Sequence, residues 1–410
     1  MAFLIDIKQT LPLVLIFVIS CSSPISTEII TTIDIEMAHN RHKDILLSDI
    51  STSEIEYIPL ETHPDGLFTF GTMYASDKYL VVFAFPRILL FDRQTGKFIR
   101  QIARQGGDIN DFTGFNHTYP LDENSLTLTF SHLEGGIEYD IEGNVIRKIR
   151  FPEKGSMLQF FPIDENSFGG YKSNLTGNET YKLYIFDYSG NERNRFLNYH
   201  SYDVPLNGLS ITGGSYIAYK WKNNIFFYEN CVDTLYKIAH NNLIPYYHIK
   251  LGKYNPPYSE KPLFVFPPDP VRPLFKKYIF FNSMYETDRF LFFSFRHDKK
   301  DRIRQMGQLI PVSSYFGFYD KQTGITKISA EDYTDKNTVI NDIDGFAPLY
   351  PFYSSINQSD ELVAYMEAES ILDWFEANPD KVKKLPEHIQ ALSKLKFDDN
   401  PVVVIAKLKQ

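Results

Sequence analysis

One four-part string recurs along this chain: an aromatic residue, an Asp, a short turn ending in Gly, then an apolar stretch. The copies are Phe91-Asp92-Arg93-Gln94-Thr95-Gly96, Tyr139-Asp140-Ile141-Glu142-Gly143, Phe186-Asp187-Tyr188-Ser189-Gly190 and Tyr319-Asp320-Lys321-Gln322-Thr323-Gly324. Asp caps a chain reversal through its own side chain, and Gly takes the positive φ that other residues resist, so each copy reads as a tight β-hairpin. The first three Asp are 48 and 47 residues apart, a degenerate copy at Val232-Asp233-Thr234 comes 46 later, and Asp320 follows after 87, near two repeat lengths.

A second string precedes each hairpin. Pro120-Leu121-Asp122-Glu123-Asn124-Ser125-Leu126 and Pro162-Ile163-Asp164-Glu165-Asn166-Ser167-Phe168 are near-copies 42 residues apart, with looser versions at 75–80, 211–216, 284–290 and 357–362. Two hairpins per repeat give four strands. Four-stranded repeats of this length are propeller blades, and a blade buries both its faces only by stacking on neighbours. The expected fold is therefore all-β: a six-bladed β-propeller of four-stranded antiparallel blades. The ring closes when the final run Pro401–Leu408 pairs with the early Ile55–Leu60, which hides both edges.

Two segments interrupt the pattern. Residues 252–275 are Pro-rich, including Phe266-Pro267-Pro268-Asp269-Pro270, and read as a stiff extended loop. Residues 367–396 are helical in composition, with Ile371, Leu372 and Phe375 on one face, and form an insertion in the last blade; both segments could act as lids, and packing over the outside or one end of the propeller is favoured.

The N-terminus carries an address. The apolar run Leu11–Ile19 follows the single basic Lys8 and ends at Ser20-Cys21, the arrangement of a bacterial lipoprotein signal with a lipid-accepting Cys21. It is too short for a spanning helix, which needs roughly 20 apolar residues. Residues 1–20 read as a signal peptide, 21–32 as a lipidated tether and 33–410 as the propeller. The residues after Cys21 lack an early acidic cluster, so an outer-membrane lipoprotein facing the periplasm is favoured over the cell surface. With Cys21 lipidated, Cys231 has no disulfide partner and reads as a small buried hydrophobe.

A net charge of -9 and the absence of a Lys/Arg block exclude a nucleic-acid surface, which works by neutralising phosphates. No HExxH, Gly-x-Ser-x-Gly, Walker loop or CxxC occurs. The strings Leu47-Ser48-Asp49-Ile50, Ile55-Glu56-Tyr57-Ile58-Pro59-Leu60-Glu61-Thr62, Phe91–Gly106 and Asn400-Pro401-Val402-Val403-Val404 resemble a family of six-bladed β-propeller lipoproteins of gut Gram-negative bacteria with NHL-like repeats. The resemblance implies a propeller fold and an envelope location. It supplies no catalytic residues.

Propellers bind at an axial mouth. Second-strand exits are expected at Arg87, His132, Lys172, Lys220-Trp221-Lys222, Arg296-His297 and Glu367. Strand parity aligns Lys172 with Lys220 and His132 with Arg296. His132, Lys172, Lys220, Lys222, Arg296 and His297, with Arg104 at the start of the loop Arg104–Phe112, then form a positive crown for an anionic glycan or peptide, and Trp221 serves as stacking platform. The leading expectation is a noncatalytic, monomeric binding or scaffolding body that recognises a glycan, peptide or envelope protein, contacts the membrane only through its lipid and needs no cofactor. The alternative is an NHL- or lactonase-like lyase or hydrolase with an axial Ca²⁺ or Zn²⁺ held by residues such as Asn116, His117, Asn207 and Asn282.

Overall fold

The structure, a computed structural model, describes residues 30–69, 71–112, 128–132, 135–152, 158–174, 176–203, 216–239, 242–259, 277–297, 304–305, 308–309, 314–329, 339–349, 351–352 and 360–410. The chain is a mainly-β propeller. Among the described residues five sheets have four or five strands and a sixth has three.

The first sheet is the meander Thr72–Ala75, Tyr79–Ala84, Arg87–Asp92 and Phe98–Arg104. The three-stranded sheet follows, at Leu128–His132, Gly135–Tyr139 and Val145–Arg150. Next come Leu158–Asp164, Ser167–Lys172, Tyr181–Phe186 and Glu192–Leu197, then Tyr216–Trp221, Asn224–Glu229, Thr234–Ala239 and Asn242–Lys250. Phe280–Glu286, Phe290–Arg296, Ser314–Asp320 and Ile325–Ile328 form the fifth. Strand alternation sends one set of side chains into each inter-sheet layer, as where Phe281, Phe293 and Phe295 meet Ile217, Phe226 and Tyr228.

The repeated hairpins form as their chemistry requires. Gly96, Gly143, Gly190 and Gly324 have φ of 68°, 88°, 82° and 70°. Asp92 accepts the Thr95 amide at 2.8 Å and its hydroxyl at 2.6 Å, and these bonds hold its carboxyl below the usual range. Asp187 is held low in the same way by Asn191.

The remaining sheet joins the two ends of the described chain. Val402–Leu408 lies between Glu361–Met366 and Ser51–Pro59, with Val404 opposite both Ala364 and Tyr57. Arg93, from the first sheet's hairpin, locks this seam by a two-nitrogen contact with Glu361 at 2.8 and 2.9 Å and by a bond to the Ser76 carbonyl at 3.1 Å. The guanidinium is only 11% exposed. Arg93→Ala removes the two-nitrogen partner of Glu361 at a largely dry seam and is expected to cost roughly 3 kcal/mol in urea unfolding. Arg93→Lys is expected to recover only part of that, because an ammonium lacks the fork that matches a carboxylate.

The fourth sheet departs from the expected phase. Tyr216, read as the start of a second strand, begins the innermost one. Its ring lies 4.8 Å from Tyr171, near the end of Ser167–Lys172, whereas Lys222 beyond its far end pairs with Asp288 beyond the far end of Phe280–Glu286. Tyr216–Trp221 therefore runs the same way as the neighbouring innermost strand. The reversal that follows is Lys222-Asn223, both at positive φ (47° and 59°), so the Asp233 turn joins the second and third strands. Asn can take that conformation at small cost and carries no glycine signal.

A strap not foreseen from the sequence runs along the outside. Thr31–Asp34 adds to Asn242–Lys250 as a parallel edge strand, so Thr31 and Thr32 belong to a sheet and not to the tether. Asp34 then caps helix Ile35–Asn40 by accepting the Met37 amide at 2.8 Å. Ile45–Leu46 pairs with Val339–Ile340, and the chain enters the closing sheet. The insertion after Met366 is helical, at Ala368–Ala377, Pro379–Val382 and Glu387–Gln390. Its Ile371, Phe375, Leu385, Ile389 and Leu392 are buried with Leu362, Val402 and Val404, which makes it a packed wall and not a lid. Of the Pro-rich segment, 252–259 is described and contains a short turn of helix at Gly252–Tyr254; the rest lies outside the described residues.

Candidate functional site at the cleft between two sheets

The shifted phase divides the expected crown. Arg296 lies opposite Phe280 at one end of strand Phe280–Glu286, while Lys222 reaches Asp288 beyond the other. At a rise of about 3.3 Å per residue the two ends of that strand are roughly 20 Å apart. Lys172 belongs with Arg296: its neighbour Tyr171 donates to Glu229 at 2.9 Å, and Asn230 beside it bonds the backbone of Phe281 at 3.0 Å. Lys220, Trp221 and Lys222 lie at the opposite end, so the residues do not form one mouth.

Among the described residues several of these cations are paired. Lys172 pairs with Glu179 at 3.1 Å, and Arg104 with Asp108 at 3.1 Å and Asp111 at 3.4 Å. His297 is buried against His39 of the strap, with Nδ1 2.8 Å from its Nε2. Lys220 is exposed. His132 ends strand Leu128–His132, and its side chain, like Cys21, Asn116, His117 and Asn207, lies outside the described residues. Asn282 is exposed on its strand. Among the described residues no group of three or more His, Cys, Asp or Glu is placed to hold a metal ion.

The structure instead gathers a different site around Trp221. Tyr219 and Trp221 alternate onto the face of their strand that looks toward the neighbouring sheet, and both remain half-buried. Tyr219 stacks on Phe226 at 5.1 Å, Phe226 meets Tyr246 at 4.7 Å, and Tyr246 meets Tyr247 at 4.3 Å. Phe226 and Tyr247 are buried, and the partly exposed Tyr219, Trp221 and Tyr246 form an aromatic shelf at the junction of the fourth and fifth sheets, here called the cleft.

Beneath the shelf lies Glu286, whose side chain is fully buried. It receives the Tyr219 hydroxyl at 2.8 Å, the Tyr246 hydroxyl at 2.9 Å and the Lys321 ammonium at 2.7 Å. Burial pushes the Glu286 carboxyl up and the Lys321 ammonium down, each against the pull of its partner. Burial, and then the charge of Glu286, drives the Tyr219 phenol far above its ordinary value, so it stays a proton donor. Lys321 also sits 3.9 Å above the Trp221 ring, which fixes the indole by a cation–π contact.

The rim is charged and exposed. Lys222 pairs with Asp288 at 2.8 Å, both more than half exposed, and Asp360 lies close by. Three partly exposed rings, Tyr219, Trp221 and Tyr246, thus stand beside the exposed Lys222 and Asp288. A sequence signal for part of it exists: Lys321 follows Asp320 as Arg93 follows Asp92, and each cation turns back onto the preceding turn's carbonyl, Thr287 or Ser76, and onto a carboxylate.

Fold and site together define a β-propeller with an inter-sheet cleft. The chain belongs to the family described as "Domain of unknown function (DUF4934)", which it matches over residues 30–407. It is similar in fold to a "putative exported protein" from Bacteroides fragilis NCTC 9343, at 16% identity and a TM-score of 0.63, covering 90% of this chain and 98% of that one. It is also similar to a member of the DUF4221 family from Bacteroides vulgatus ATCC 8482, at 10% identity and a TM-score of 0.54, covering 88% and 98%. No curated protein matches. No helix among the described residues is long and apolar enough to cross a membrane.

Proposed function

We propose that this protein is an exported, lipid-anchored, six-bladed propeller that acts as a noncatalytic binding protein and takes a glycan at the Trp221 cleft. The observation that carries the reading is the half-buried shelf of Tyr219, Trp221 and Tyr246 over the Glu286–Lys321 pair. Sugar rings present C–H faces that pack on aromatic rings, and their hydroxyls need fixed donors and acceptors at the rim. A shelf whose rings are already locked in place loses little entropy on binding.

The anchor supports the same reading. Eight residues lie between Cys21 and Ile30, nine backbone steps with a reach of at most about 30 Å. Thr31 pairs with Tyr247, whose neighbour Tyr246 lines the shelf. Trp221 lies four strand spacings further in, so lipid on Cys21 would hold the cleft within about 50 Å of the outer membrane, on its periplasmic face, suited to an envelope-associated glycan.

Trp221→Ala is expected to weaken the best ligand from a glycan-array screen roughly 30-fold, the loss typical of an aromatic anchor, with a lower but still cooperative thermal transition, because the ring also packs on the core and on Lys321. Unchanged affinity would move the site elsewhere.

A further inference from the structure

We infer that the end of the propeller opposite Trp221 docks on the lipid bilayer, through apolar side chains on loops beside the seam between the closing sheet and the first sheet. This rests on the lipid anchor of the reading above and adds the orientation of the body to it. The Trp221 end is traced by linked side chains: Arg93 joins Ser76 to Glu361, Asp360 accepts the Asp288 amide, and Asp288 pairs with Lys222. The turns there, 76–78, 93–97, 222–223, 287–289 and 321–324, expose no large apolar side chain. The opposite end does. Leu67, Phe85, Ile109 and Phe397 are 44%, 42%, 79% and 62% exposed.

These four belong to one neighbourhood. Arg87, beside the Phe85-Pro86 turn, donates to the Asp65 carbonyl at 2.9 Å and to the Leu67 carbonyl at 2.5 Å. The Gln105 amide, at the start of the loop that carries Ile109, donates to the Pro86 carbonyl at 2.8 Å. Asn400, just beyond Phe397, donates to the Gly66 carbonyl and accepts the Phe68 amide, both at 3.0 Å.

Tether length alone leaves the orientation open. The chain joins the body at Ile30, partway along Asn242–Lys250, and either end of a strand about 20 Å long lies within a reach of about 30 Å. The side chains decide it. Apolar residues on separate loops gain by entering the acyl boundary of a bilayer, which yields to their shape, whereas a protein partner would need a matched pocket for each. Charge contributes little, because the exposed Asp65, Asp108 and Asp398 stand against Arg104, Lys394 and Lys396 in equal number. Docked this way, the Trp221 end faces away from the membrane.

The test uses the full lipidated chain in vesicles of phosphatidylethanolamine and phosphatidylglycerol that contain doxyl-labelled lipid. A thiol-reactive fluorophore is placed at Ile109→Cys or, at the other end, at Gln322→Cys, and the unsubstituted protein with its native Cys231 gives the blank. Quenching at Ile109→Cys is expected to exceed that at Gln322→Cys by about threefold or more. Leu67→Asp with Phe397→Asp, or Phe397→Asp alone should the pair not fold, is expected to lower that excess by about half or more. Replacing phosphatidylglycerol by phosphatidylcholine is expected to leave it unchanged. Equal quenching, or more at Gln322→Cys, in protein that floats with the vesicles overturns the docking, keeps the anchor and leaves the patch to a protein partner. An excess that survives the Asp substitutions, or is lost with phosphatidylglycerol, overturns the apolar contact. Protein that does not float and carries no lipid on Cys21 by mass spectrometry overturns the anchor and the docking with it.

Discussion

Val404→Asp is expected to abolish cooperative folding, giving a chain whose near-ultraviolet dichroism is lost and whose urea transition is broad at 25 °C. Val404 is fully buried in the strand that joins Glu361–Met366 to Ser51–Pro59, and its side chain packs among Leu362, Ala364, Met366 and the helical insertion. A carboxylate there finds no cation and must either ionise in apolar surroundings or take up a proton, at a cost of several kcal/mol. That rivals the whole stability of an ordinary domain, about 5–15 kcal/mol. The position matters because this strand holds together segments some 350 residues apart in sequence, for which backbone pairing alone is weak against loop-closure entropy. Val404→Ile, which changes volume by one methylene, is expected to fold, with a change below about 1.5 kcal/mol. If Val404→Asp unfolds in one sharp transition near the wild-type midpoint, the terminal strands do not close the ring.

This closure was legible in the sequence because the final run Val402–Leu408 is strongly apolar, the early Ile55–Leu60 alternates apolar with other residues, and each sits beside a recognisable repeat. The four Asp-to-Gly hairpins were legible for a related reason: a positive φ and a side-chain cap leave few residue choices. The fourth sheet was not. Its turn uses Lys222-Asn223 in place of Gly, and the Asp233 copy resembles the repeat while serving a different reversal. One misplaced turn moved Lys220, Trp221 and Lys222 to the wrong end of the propeller, since successive antiparallel strands exchange ends. Trp221 stands out in either phase as an indole near a loop, but its contact with Lys321 comes from the structure.

The Glu286–Lys321 pair was hidden for another reason. Glu286 lies 35 residues before Lys321 and reads locally as one more polar turn residue. Only the geometry of the sheet makes it a buried carboxylate. The strap was hidden too, because Thr31–Asp34 has no hydrophobic alternation of its own and gains its place from the exposed edge of Asn242–Lys250.

Lys321→Met is expected to destabilise the protein by about 3–5 kcal/mol at pH 7.5, the cost of leaving one member of a buried ion pair behind. Its deficit should shrink in acid. In the wild type burial already raises the Glu286 carboxyl above its ordinary value, and Lys321 is the largest influence opposing that rise. Without the ammonium the folded-state value climbs further. A raised acid contributes stability that is fully present below its unfolded value, near 4.5, and is lost as pH rises through its folded value. At pH 4 the variant therefore buries a neutral carboxyl, bonded to Tyr219 and Tyr246, at modest cost. At pH 7.5 it must bury an unpaired anion or hold a proton against the solvent. Urea unfolding of wild type and variant between pH 4 and 8 should show the gap widening with pH. A gap that is constant over that range would mean Glu286 does not titrate with folding, and the loss would be one of packing against Trp221. Lys321→Met with Glu286→Gln removes both charges and keeps an acceptor and a donor for the two phenols, so it is expected to recover most of the lost stability and to show no widening with pH.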